Sequence, residues 1–169
     1  VQCVTGLSFG AEYNMVWPGA ASSAATRTAG EKFITQTAAV AIPANAAEMC
    51  SQMTQGDVVK VNFFNQAGAK EQSAYGVTVK SVTRHENGVV SVSGTAEGQP
   101  METFVLSVGA DGFMMSLQDL RKQKLYRVVG DPRAAEAVVK EIDLAKMPLR
   151  YDGHDLVPPK EAQASNERK

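Results

Sequence analysis

The sequence predicts an all-β domain, a meander-type barrel or sandwich of about 7–9 strands, with one short helix and an extended C-terminal arm. Three observations carry that prediction. Strand-sized runs with apolar/polar alternation recur from 57 to 143. Turn signals separate them at a spacing of about 8–12 residues. A single helical spacing of apolar residues stands outside that run, at 44–54.

The elements follow in order. Val1, Val4 and Leu7 suggest a short N-terminal strand and 13–17 another, before Pro18-Gly19 breaks the chain. Residues 20–30 are small and polar and read as a loop. From 33 to 42 alternation returns, with Ile34, Ala38, Val40 and Ile42 on one face against Thr35 and Thr37. Pro43 is suited to a first helical turn, and Ala46, Met49, Cys50 and Met53 share one helical face; Gly56 is placed to stop the helix.

The strand run then begins with Val59, Val61 and Phe63, followed by Tyr75, Val77 and Val79. Asn87-Gly88 is the best hairpin signal, because both residues tolerate the positive φ of a type I′ turn. Val90 and Val92 return from it. Phe104, Leu106 and Val108 form the next inward row, after a turn at Gly98-Gln99-Pro100. Asp111-Gly112 reverses the chain into Phe113, Met115 and Leu117, with Met114-Met115 and Met49/Met53 read as core filler. Residues 125–129 and 137–142 form a last pair around Gly130-Asp131-Pro132. Residues 1–146 therefore make one β-rich domain. Residues 147–169, with Pro148, Pro158 and Pro159 and a polar end, make an extended and partly disordered arm.

Composition narrows the function classes. The chain has 169 residues, 44% hydrophobic and 21% charged, enough for a real core. Its net charge of -1 gives no field for nucleic acid or an anionic membrane. No apolar stretch approaches the roughly 20 residues of a spanning helix. The sequence starts at Val1, which reads as the loss of a leader, and it contains two cysteines, Cys3 and Cys50. A disulfide between them would suit an exported protein, in a periplasm or on a cell surface, and would pin the N-terminal segment under the helix. The alternative is two free, buried thiols.

Catalytic patterns are isolated. Gly6-Leu7-Ser8-Phe9-Gly10 matches the string of a nucleophile elbow, but strand rather than helix is expected after it. His85 and His154 are the two histidines. His154 lies between Asp152 and Asp155, with no second His or Cys at ligand spacing. The cysteines lack a C-x-x-C motif, and no phosphate loop, dinucleotide fingerprint or calcium loop occurs, so no cofactor is expected. Asp111 and Asp131 sit at turns, where local hydrogen bonding explains them.

Two segments read as partner-binding candidates. Arg121, Lys122, Lys124 and Arg127, around Tyr126, form the densest basic cluster. Leu149, Tyr151, Leu156 and Val157 place apolar side chains on a proline-stiffened arm, where little ordering entropy is lost on docking. The expectation is a non-catalytic exported binding or assembly module of the bacterial cell envelope, engaging a protein partner or its own copies. A barrel holding a small apolar ligand among Phe63, Tyr75, Phe104 and Phe113 is one alternative. A hydrolase using Ser8 or a carboxylate pair is another.

Overall fold

A computed structural model of the chain describes residues 10–19, 32–64, 74–99 and 101–147. Nine strands close into one barrel: β1 (Glu12–Pro18), β2 (Ile34–Ala41), β3 (Val58–Asn62), β4 (Ala74–Arg84), β5 (Val90–Ala96), β6 (Phe104–Val108), β7 (Phe113–Asp119), β8 (Lys124–Asp131) and β9 (Glu136–Asp143). One helix, α1 (Ala46–Gln52), joins β2 to β3. The order around the barrel is β1-β2-β9-β8-β7-β6-β5-β4-β3. The closure is shortest between β1 and β2, which pair over two residues.

From β3 to β9 the strands form the expected meander, each antiparallel to the next. The front of the chain does not. β1 inserts between β2 and β3 and runs parallel to β3, while it meets β2 through Trp17↔Ala41 and Pro18↔Val40. The chain must therefore cross β1 to pass from β2 to β3, and α1 occupies that crossover. The helix packs against β4, β5 and β6, so it lies across one end of the barrel. Asp57 stitches this end together: its carboxylate accepts from Ala11 N at 3.0 Å and from Thr54 N at 2.9 Å.

The inward rows are those the alternation predicts. Val59, Val61, Phe63, Val77, Val79, Val92, Phe104, Leu106, Val108, Phe113, Met115 and Leu117 are all buried in a single core with Met15, Ala46, Cys50 and Met53. Complete burial of a side chain such as Phe63 or Phe104 contributes about 1.5–3 kcal/mol.

Four local expectations are corrected. Ile34 does not share the core row of Ala38 and Val40. The register shifts between Ile34 and Gln36, so Ile34 pairs with Ile142, and both stand apart from the main core. The Asn87-Gly88 hairpin forms, yet among the described non-glycine residues only Gln123 and Ala135 have positive φ. Gly88 alone takes it, at 83°, and closes a type I turn with Gly88 N donating to His85 O at 3.0 Å. The helix ends at Gln52, with Met53 extended, so Gly56 (φ 95°) serves the following turn instead of the helix end. Met114 is not core filler: it is 63% exposed, because its neighbour Met115 takes the inward position.

Candidate functional site

At the barrel end opposite α1, four aromatic rings gather: Phe63, Phe64, Tyr75 and Tyr126. Phe63 stacks on Tyr126 with ring centroids 4.6 Å apart and planes 15° apart. The Tyr75 hydroxyl donates to Asp119 Oδ2 at 2.9 Å and lies 3.3 Å from the Tyr126 hydroxyl. Asp119 is 1% exposed. Its Oδ1 accepts from Gln99 Nε2 at 3.2 Å, Arg121 N at 3.0 Å and Lys122 N at 3.2 Å. This carboxylate therefore ties the β7–β8 turn to the β5–β6 connection and to β4.

Glu141 is the second buried carboxylate at this end. Thr35 Oγ1 donates to its Oε1 at 2.6 Å, and Lys124 Nζ stands 3.4 Å away. Burial, first of all, pushes the Tyr126 phenol well above its usual range, with the hydrogen bond to Tyr75 and the Glu141 charge acting the same way. Burial likewise raises Tyr75; its hydrogen bond with Tyr126 opposes this, and Asp119 adds to it. Both phenols thus stay protonated as donors. Asp119 accepts hydrogen bonds from more than one element, and Glu141 accepts from Thr35 and pairs with Lys124, so the cluster stitches the barrel mouth together.

A surface groove begins beside this cluster. Ala74 and Gly76 on β4 leave room on the outer face, walled by Trp17, Lys60, Asn62 and Glu97. It continues past Tyr75 to Gly98 and Arg121 at the rim. Gly98 has φ 77°, and the Arg121 guanidinium lies so close that a Cβ there would sit 3.3 Å from Nη1. Trp17 is 40% exposed, the largest aromatic surface beside the groove.

The second surface is the outer face of β7, β8 and β9. Met114, Val129 and Val138 are exposed at 63%, 57% and 44%. Met114 pairs directly with Val129, and Val129 with Val138, so the three form one continuous row across three strands. Ser107 on β6 and Ala39 on β2 extend it on either side. Scattered exposed apolar residues need no explanation, but a contiguous row is a mark of an interaction surface.

The basic cluster of the sequence separates in space. Arg121 and Lys122 line the groove at the β7–β8 turn. Lys124 turns to Glu141 and, at 4.0 Å, to Asp143. Arg127 points outward from β8, paired with Ser116 and Lys140 on the neighbouring strands. The four are thus not one patch. His85 Nε2 lies 3.0 Å from Ser91 Oγ on the exposed hairpin, and among the described residues no three His, Cys, Asp or Glu side chains gather as a metal site. Cys50 is fully buried, without a disulfide among the described residues. Cys3, Ser8, His154, Leu149, Tyr151, Leu156 and Val157 lie outside those residues. Of the four aromatics expected around an interior ligand, Phe63, Phe104 and Phe113 are fully buried in the core, and Tyr75 lines the outer groove. Among the described residues no helix is long and apolar enough to cross a membrane.

The exposed row carried a signal in the sequence. Each member is half of an apolar doublet, Met114-Met115, Val128-Val129 and Val138-Val139. A strand buries one of two neighbours, so the other must face out. Comparison with protein-family models, with curated proteins and with solved structures finds no match for this chain.

Proposed function

We propose that this chain is a non-catalytic binding or assembly module that engages a protein partner through the outer face of β7, β8 and β9. The observation that carries the reading is the exposed row Met114–Val129–Val138. A protein surface matches it in chemistry: the face is apolar along one line and charged on both sides, as at interfaces with an apolar centre and polar rim. The arrangement at the barrel mouth agrees with a non-catalytic role, since the buried carboxylates are engaged in hydrogen bonds that hold turns together. An exported setting in a bacterial envelope belongs to the same proposal, supported by the strand-rich scaffold and by two cysteines without metal or redox spacing.

The test is site-specific photo-crosslinking in the native host. A photoreactive side chain at Val129 is expected to give a protein adduct. The same group at Ser81, exposed on β4 across the barrel, is expected to give none. Equal yields, or no adduct at Val129, would count against the reading. Fractionation of the same cells tests the setting, and recovery in the cytoplasm would refute it.

A further inference from the structure

We propose that the occupant of this face is a second copy of the same chain, packed across a two-fold axis that runs along the Met114–Val129–Val138 row. The inference rests on the preceding reading and names its partner.

Charges flank the row on either side. On β8, Arg127 and Asp131 stand two residues before and two residues after Val129. On β9, Glu136 and Lys140 stand two residues before and two after Val138. Strand pairing sets Arg127 directly opposite Lys140 and Asp131 directly opposite Glu136. One side of the apolar row is therefore basic and the other acidic. Each flank is at the same distance from the row, about 7 Å along the strand.

Within one chain this is an unfavourable arrangement. Like charges directly opposite on neighbouring strands repel. Arg127, Lys140 and Glu136 have no ion pair among the described residues. Asp131 is engaged by Arg133 at 3.1 Å, a side chain that is itself 70% exposed.

A two-fold axis along the row resolves it. The rotation keeps each strand over its own counterpart and reverses its direction. Val129 then meets Val129, and Val138 meets Val138. Lys140 of each copy comes to Glu136 of the other, and Arg127 to Asp131. An isologous interface needs this self-complementarity, and an unrelated partner would not require it. Because Arg133 already engages Asp131, the Lys140–Glu136 contacts are the more telling pair.

The surface is small. The three strands that carry the row, at a spacing of about 4.8 Å, and three rows about 7 Å apart cover roughly 200 Å² per copy, below the ~800 Å² of a standard interface. The dimer is therefore weak, in the class of transient contacts. The apolar row supplies most of the attraction, while the charges set the alignment.

Sedimentation equilibrium of the full chain, from micromolar to millimolar concentration at low and high salt, tests the proposal. The native chain is expected to dimerise, more weakly at high salt. Val129→Arg is expected to be monomeric. Lys140→Glu and Glu136→Lys, each alone, are expected to weaken the dimer at least about tenfold, because each sets like charges against each other across the axis. An equimolar mixture of these two variants is expected to form a heterodimer as strong as the native dimer. A native chain that stays monomeric to millimolar concentration overturns the proposal, as does a dimer indifferent to Lys140→Glu or a mixture no stronger than its components. A monomeric chain that still crosslinks through Val129 to a different protein overturns the second copy but keeps the protein-binding reading. A monomer with no adduct at that position removes both.

Discussion

The Tyr75 hydroxyl and the Asp119 carboxylate meet at 2.9 Å, joining the start of β4 to the end of β7 across the barrel mouth. Their sequence positions are 44 residues apart. Asp119 also holds Gln99 and two backbone N–H groups of that turn. The two residues should therefore differ in what their removal costs.

Asp119→Ala is expected to destabilise the fold by about 2–4 kcal/mol, since it strands one buried and three half-buried donors at once. Tyr75→Phe removes one donor and is expected to cost about 1 kcal/mol. Urea unfolding of both variants checks this. Similar losses for the two would show that Asp119 does not organise the turn.

Phe63→Ala should be among the costliest single changes in the core, at about 3–5 kcal/mol. Phe63 is fully buried and stacks on Tyr126, so its loss opens a cavity under the mouth. Phe63→Leu should recover part of that loss. A cost of Phe63→Ala below that of Phe63→Leu would contradict the packing.

Gly94→Ala is expected to destabilise by about 1–3 kcal/mol although it adds a single methyl group. A Cβ at Gly94 would collide with the Thr78 backbone carbonyl and crowd Val77 Cγ1, where β4 and β5 approach closely. Thermal unfolding reads the effect. A neutral or stabilising result would mean that the two strands part without cost.

Alkaline pH should weaken the fold through Cys50. Burial pushes this thiol up from 9.0 to about 12. The folded protein keeps a proton that the unfolded chain releases above about pH 9, so the contribution is complete below that pH and is lost as pH rises towards 12. Tyr75 and Tyr126 are shifted in the same direction and act above the ordinary phenol range. Cys50→Ala should therefore flatten the decline just above pH 9 while leaving the steeper decline at higher pH. Denaturant midpoints across that range provide the measurement. Unchanged slopes in the variant, together with a mass change of the native chain on reduction, would point instead to the Cys3–Cys50 disulfide.

Much of the barrel was legible in the chain. Period-2 alternation in 57–143 assigns the inward rows because a strand in a closed barrel has one wet and one dry face, and those residues fill the core. The turn type at 85–89 was not, because Asn-Gly tolerates more than one hairpin geometry and local twist selects among them. The basic cluster was misleading for a related reason: neighbours in sequence alternate faces or sit on a turn, so Lys124 and Arg127 part company within four residues.

By itself, then, the sequence determined which side of each strand is apolar, where the chain turns and that one short helix interrupts the strands. Those are local choices, dictated by side-chain chemistry at a spacing of two residues. The tertiary structure alone decided that β1 slips between β2 and β3, that Asp119 reaches Tyr75 and that Met114, Val129 and Val138 line up beside opposed rows of charge. Pairing register across distant strands sets these relationships, and register is a property of the closed barrel, not of any one segment.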